Sequence, residues 1–356
     1  MTTYYLASLS AFGLSLVLTA VFSRWATRRR IFIAPIRERD VHTRPIPRIG
    51  GAAIVASFLL VVAAVQLLWP ELLSLSNEKI IGIDRNLLGL LLGVVILGVV
   101  NLADDFKDLP WGVKLAFQIA AALLVAAFGI KIQWFTNPFG TPFFLGSLDW
   151  LFVVIWLVGL SNIINWLDGI NGLAGGVSAI ALATLFFLSV SPEVAQSENA
   201  LIAAIGFGAV MGFLPFNIVR AKVFLGDTGS VFLGFLIGVI AIVSGGKIAT
   251  AFLALAIPFL DGIVVIITRL IHHQSPFAAD KRHLHHRLLA LGFKPWQIVG
   301  LFYLISLLFG LFALNSQAVG KFYLGLLALL VMGALVMIYS ISDKLSTIKK
   351  DEKPRN

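Results

Sequence analysis

Three observations predict that this chain is an all-α polytopic membrane protein. Its mean hydropathy is +0.95, and 59% of its residues are hydrophobic against 13% charged, which lies outside the range of soluble domains. Its apolar residues also gather into runs that approach the roughly 20 residues a helix needs to cross a bilayer. Eleven such runs stand at 4–23, 50–69, 87–103, 111–129, 149–165, 173–190, 199–216, 230–246, 248–270, 297–315 and 323–342. No internal repeat and no soluble insert divides them. Residues 1–343 therefore read as one multi-span unit and 344–356 as a short charged tail.

Orientation follows from the basic residues, because loops on the cytoplasmic side carry the Lys and Arg excess. The first loop holds eight of them (Arg24, Arg28, Arg29, Arg30, Arg37, Arg39, Arg44 and Arg48), whereas the opposite side carries five (Lys79, Arg85, Lys131, Lys247 and Lys321). With eleven spans the N-terminus is predicted outside and the C-terminus in the cytosol. The first run has no basic stretch before it and reads as a retained span rather than a cleaved signal. The net charge of +9 is then a property of the cytosolic face. It suits anionic headgroups and phosphorylated substrates, and no aromatic-interleaved basic patch points to nucleic acid. The absence of cysteine excludes disulfides, thiolate metal sites and a cysteine nucleophile.

Along the chain, the unusual polar residues fall in cytosolic loops and helix ends. The first loop contains HTRPIPRIGG, in which prolines fix an extended backbone and His42, Arg44 and Arg48 are placed to meet a phosphate. The third run ends in NLADDFKD, where Asp104 and Asp105 repel each other unless a cation intervenes. A hard divalent ion is one remedy, and solvated acids at a helix end are the other reading. The segment 131–148 mixes alternation with Asn-Pro and Gly turn signals and predicts a small hairpin on the outer surface.

The fifth run leads into NIINWLDGINGLAGG, which puts Asn165, Asp168 and Asn171 among glycines. A carboxylate in hydrocarbon costs roughly 2.5 kcal/mol or more at full depth, so Asp168 belongs in a polar cleft. NIVRAKVFLGDTGS follows the seventh run and carries Asn217 and a glycine-flanked Asp227 entering a helix. Such turns present backbone N–H groups to anions. Asp261 lies inside the ninth run. Five of the six histidines lie between 272 and 287, without the spacing of a zinc site. Arg282, His283, His285 and His286 suit hydrogen bonding to sugar and diphosphate oxygens.

Carboxylates at one depth, glycine turns and Arg and His donors suit Mg²⁺-assisted phosphoryl transfer. A lipid acceptor would come from the membrane and a nucleotide donor from the cytosol. A cation-coupled transporter also keeps acids within its spans, but near the midplane and with repeat symmetry. Here the acids stand at helix ends, which favours an enzyme.

Five of these motifs, NLADDFKD, NIINWLDGINGLAGG, NIVRAKVFLGDTGS, PFLDG and SPFAADKRHLHHRLLALGF, resemble in the same order those of the polyprenyl-phosphate N-acetylhexosamine-1-phosphate transferases, the WecA/TagO/MraY superfamily. The resemblance implies an integral membrane enzyme of the cell membrane, a homodimer with a cytosol-facing site. It implies dependence on Mg²⁺, with Mn²⁺ a possible substitute. The reaction implied is transfer of a sugar 1-phosphate from a UDP-amino sugar to undecaprenyl phosphate, with release of UMP.

By matching motif, Asp104, Asp105 and Asp168 take the catalytic acid positions and Asp227, with Asp104, the metal positions. His42, Arg44, Arg48, Asn165, Asn171, Asn217, Asp261, Arg282, His283, His285 and His286 take substrate-binding positions. The pattern His-x-His-His resembles the WecA and TagO branch and implies N-acetylglucosamine as the sugar. The alternative is the MraY branch, whose donor carries N-acetylmuramoyl-pentapeptide. Many relatives have a second acid where this chain has Asn171, an amide that supplies no negative charge.

Overall fold

The computed structural model describes residues 1–33, 46–76, 78–218, 221–243, 247–274 and 282–351, with backbone alone for 338–351. Its helices are, in order, α1 (Thr2–Arg29), α2 (Gly50–Leu68), α3 (Arg85–Lys107), α4 (Trp111–Ala127), α5 (Asp149–Leu167), α6 (Leu173–Val190), α7 (Ser197–Phe213), α8 (Gly226–Val243), α9 (Ile248–Ala254), α10 (Ala256–Ile271), α11 (Leu284–Ala290), α12 (Pro295–Leu314) and α13 (Ala318–Asp351). Each of the eleven apolar runs is helical. Among the described residues nine helices are long and apolar enough to cross a membrane, or ten when α9 and α10 are taken as one bent span. The remaining run is α4. At 17 residues and about 1.5 Å per residue, it falls a little short of a hydrocarbon core about 30 Å thick.

The ninth run departs from the expected single helix, because α9 and α10 meet at 86°. Pro258 explains the break. It has no N–H to bond the carbonyl of Ala254, and its ring crowds that carbonyl, so α9 stops at Ala254 and α10 restarts with Pro258 in its first turn. At the C-terminal end α13 runs on past the last apolar run to Asp351.

Two short hairpins join spans. Lys79–Ile80 (β1) and Ile83–Asp84 (β2) pair antiparallel around Ile81 and Gly82, both at positive φ, as a type I′ turn requires. Asp84 then caps α3, accepting from the Leu87 N–H at 3.0 Å and from Ser76 N–H at 2.6 Å. The expected hairpin in 131–148 is present as Trp134–Phe135 (β3) against Phe143–Phe144 (β4).

The centre of the bundle is α8, 89% buried, while α13 at the edge is 11% buried. A helix surrounded on all sides by others must be apolar all round, as α8 is beyond its first turn. Small residues bring neighbouring helices close, as is usual in membranes. At Gly208 and Gly212 of α7 an added Cβ would fall 2.1 Å from the Ser8 carbonyl and 2.3 Å from the Phe12 carbonyl of α1. One consequence matters for the site: α3, α5 and α4 all pack close enough to α8 to place side chains at its first turn.

Candidate active site

The first turn of α8 is where the acids meet. An α-helix begins with backbone N–H groups that have no partner within the helix, and here they are met by a residue from another helix. The Asp105 carboxylate of α3 accepts from the N–H of Asp227 at 2.9 Å, the N–H of Thr228 at 3.0 Å and the hydroxyl of Thr228 at 2.6 Å. Gly226 makes the approach possible. Its φ is +72°, and a Cβ there would stand 2.7 Å from both Asp105 oxygens. Successive residues on a helix point about 100° apart, so Asp104 faces elsewhere. It accepts from the Leu109 N–H at 2.7 Å and from Lys114 Nζ of α4 at 3.0 Å. The same ammonium reaches Asp227 Oδ2 at 2.9 Å. Three helices are thereby tied by one partly buried cation and three carboxylates.

The second wall is the turn after α5. Asp168 is the C-cap of α5, and burial pushes its carboxyl well above the usual carboxylate range. The charges of Asp227 and Asp105 add to that rise, while Arg48 and the Gly226 N–H oppose it. Arg48 also lies 3.9 Å from Asp108. Asn165 donates to Ser230 Oγ at 3.0 Å. Buried Asn217 fixes the turn, accepting from the Gly172 N–H at 2.7 Å and donating to the Val223 carbonyl at 3.0 Å. The Tyr303 hydroxyl donates to the Gly172 carbonyl at 2.6 Å. From the first loop, the N–H groups of Gly50 and Gly51 donate to the carbonyls of Phe224 and Leu225 at 2.9 and 2.8 Å, laying the Arg48 segment against the Asp227 turn.

The third wall is the histidine loop, held from below by Asp261. Its Oδ2 lies 2.9 Å from His283 Nδ1 and its Oδ1 accepts from the Leu284 N–H at 2.8 Å, so both oxygens are committed to the loop. The ring of His283 stacks on that of His285 at 5.9 Å and 9°, and His285 meets His286 at 4.3 Å. His285 is 1% exposed, and among the described residues neither of its ring nitrogens has a hydrogen-bond partner. Burial holds its pKa well below the ordinary value, with the charges of His286 and His283 acting in the same direction. Its Nε2 stands where a Cβ on Gly169 would be, 2.3 Å away, so the glycine after Asp168 is what lets the histidine loop dock.

Asp104, Asp105, Asp168, Asp227, Asn165 and Asn217 therefore come together at one end of the bundle, with Arg48 beside them, His285 over Gly169 and His283 stacked on His285. Asn171 lies in the same turn, partly buried. Arg282 and His286 flank the histidine stack. His42 and Arg44 lie outside the described residues. Two residues of the site lie outside the sequence motifs. Lys114 stands within the apolar run 111–129, where an ionisable residue is itself a signal of function. Tyr303 carries no local signal, since only the fold brings it to Gly172. Among the described residues no three His, Asp or Glu side chains are grouped as a metal cage.

Comparisons with known proteins bear on this geometry. The family profile described as Glycosyl transferase family 4 matches residues 87–245. A Bacillus subtilis protein named probable undecaprenyl-phosphate N-acetylglucosaminyl 1-phosphate transferase is 30% identical over 354 residues, covering 97% of this chain and 94% of its own. The chain belongs to the polyprenyl-phosphate N-acetylhexosamine-1-phosphate transferase family. An undecaprenyl-phosphate alpha-N-acetylglucosaminyl 1-phosphate transferase of Thermotoga maritima is 28% identical, over 93% of this chain and 96% of its own. A phospho-N-acetylmuramoyl-pentapeptide-transferase of Halalkalibacterium halodurans is 30% identical, over 86% of this chain and 95% of its own. Both branches of the family are thus represented among the relatives.

Proposed function

We propose that this membrane protein transfers N-acetylglucosamine 1-phosphate from its UDP derivative to undecaprenyl phosphate. One observation carries the reading: Asp104, Asp105, Asp168 and Asp227 stand at helix ends on one face, with Lys114 among them and buried His285 over Gly169. A transporter would keep such acids near the midplane. The Lys and Arg excess in the loops joined to those helix ends supports the cytosolic side of the cell membrane for that face. In the reaction a lipid phosphate oxygen forms a bond to the donor's β-phosphorus while the bond from that phosphorus to the bridging oxygen breaks. The bridging oxygen leaves with UMP. The attacking phosphate is ionised near neutral pH, so no general base is required of Asp104 or Asp105.

The residues fit a divalent cation. Their donors are all hard carboxylate oxygens, and the Lys114 ammonium already stands between two of them as a monovalent counter-charge. Mg²⁺ takes only one or two carboxylates and completes its shell with water and substrate phosphate, so the lack of a three-residue cage among the described residues agrees with it. Asp227, with Asp104 or Asp168, would hold the ion, which when bound supplies charge neutralisation on the diphosphate. Arg48 and Lys114 offer cations to the phosphates. His285 offers two unsatisfied ring nitrogens to a sugar or diphosphate oxygen.

Incubating the purified protein with undecaprenyl phosphate and separate UDP-sugars, and measuring UMP, tests the reading. UDP-N-acetylglucosamine is expected to give the fastest release. UDP-N-acetylmuramoyl-pentapeptide as the best donor would move the chain to the other branch. No UMP from any donor, together with ion movement in reconstituted vesicles, would establish the transporter. A second expectation concerns Gly169→Ala. Its methyl displaces His285 by an ångström or more, and a misplacement of that size costs about 10²-fold in rate. UMP release should fall by that order, and unchanged kinetics would remove His285 from the site.

A further inference from the structure

We propose that Lys114 is an internal competitor for the divalent cation, occupying the carboxylates of the empty enzyme and yielding them when metal and diphosphate arrive together. The inference rests on the metal reading above. Its ground is the position of one atom. Lys114 Nζ lies 3.0 Å from Asp104 Oδ2 and 2.9 Å from Asp227 Oδ2, bridging α3 and α8 from α4.

Local forces do not explain that placement. Lys114 stands in the first turn of α4, where the helix dipole disfavours a cation. The neighbouring acids supply the attraction. They also need it, because Asp105 has its oxygens committed to the start of α8, leaving Asp104, Asp168 and Asp227 to share whatever positive charge is close.

An Mg²⁺ ion binds carboxylate oxygen at about 2.0–2.1 Å, and an ammonium hydrogen-bonded to the same oxygen would be a few ångströms from it. At that separation two cations repel strongly in a partly buried site. One of them must move, and lysine is suited to do so, with a flexible four-carbon stem and three rotatable donors. In the empty enzyme it has nowhere better to go. When a nucleoside diphosphate enters, its oxygens offer Lys114 new acceptors while also offering ligands to the metal. The cation alone therefore binds weakly, and cation and diphosphate raise each other's affinity. By linkage the effect is reciprocal.

The test is Mn²⁺ binding to purified protein in detergent, read from the free-ion electron paramagnetic resonance signal with and without UDP. Lys114→Met removes the competing charge and keeps most of the stem. It is expected to bind Mn²⁺ alone about tenfold more tightly than the wild type, a conservative reading of one unit charge at this range. The enhancement that UDP gives in the wild type should shrink correspondingly. Lys114→Arg, which keeps the charge, should bind as weakly as the wild type. Equal or weaker Mn²⁺ binding by Lys114→Met overturns the proposal.

Where that variant does not fold, Lys114→Gln replaces it, with the same loss of charge and the same expectation of about tenfold tighter Mn²⁺ binding without UDP, and equal or weaker binding by it overturns the proposal. The metal reading fails separately: it is lost if the wild type binds no Mn²⁺ even with UDP, or if Asp227→Asn binds it as well as the wild type does.

Discussion

Asp227→Ala is expected to lower UMP release at least about 10³-fold, at every Mg²⁺ concentration up to tens of millimolar. The reason is the position of the carboxylate. It projects from the first turn of α8 beside the Lys114 ammonium at 2.9 Å, within the field of Asp168 and Asp104. Removing one preorganised electrostatic contact to a developing charge typically costs about 10²–10³ in rate. Loss of a metal ligand adds to that. The fold should survive, because the bond that ties this residue to Asp105 is made by its backbone N–H, which alanine retains. A melting temperature near that of the wild type, measured on the same preparation, is part of the expected result. Activity above a tenth of wild type at high Mg²⁺ would remove Asp227 from the reaction.

The sequence disclosed the spans and most of the site for different reasons. Apolar runs are legible because the bilayer forces backbone polar groups into helices, and their helices stand where the runs predict. The kink between α9 and α10 is not legible in the apolar pattern, because Pro258 has apolar residues on both sides, from Phe252 to Leu260. Asp168, Asp227 and the histidines stood out because polar groups in such surroundings need a reason. Lys114 carries the same signal more faintly, since it is one charge in the first turn of an otherwise apolar run.

Other roles depend on partners far away in the chain. Nothing near Asp261 announces that both of its oxygens anchor a loop 22 and 23 residues later. Nothing near Gly169 announces the ring of His285. The paired acids are the plainest example: side by side in sequence, Asp104 faces a lysine and Asp105 caps a helix 122 residues away.

That last division yields a prediction that separates two roles for Asp105. As a cap, its carboxylate satisfies two N–H groups and one hydroxyl at the start of the most buried helix of the bundle. Asp105→Ala leaves all three without that acceptor. Losing a cap costs about 1–2 kcal/mol, and each buried donor left unmade costs about 1–3 kcal/mol, so a destabilisation of about 2 kcal/mol or more is expected. The same change frees the turn that aims Asp227, and a shift of about an ångström there costs about 10²-fold in rate. Asp105→Asn keeps one carbonyl oxygen for the N–H groups and can turn its amide toward the Thr228 hydroxyl oxygen. If Asp105 acts by positioning, the asparagine variant should recover most of the melting temperature and at least tenfold more UMP release than the alanine variant. A base or nucleophile behaves differently, because an amide can take up neither role. Asp105→Asn as inactive as Asp105→Ala, yet melting with the wild type, would therefore return Asp105 to the chemistry and leave the capping contacts as its secondary duty.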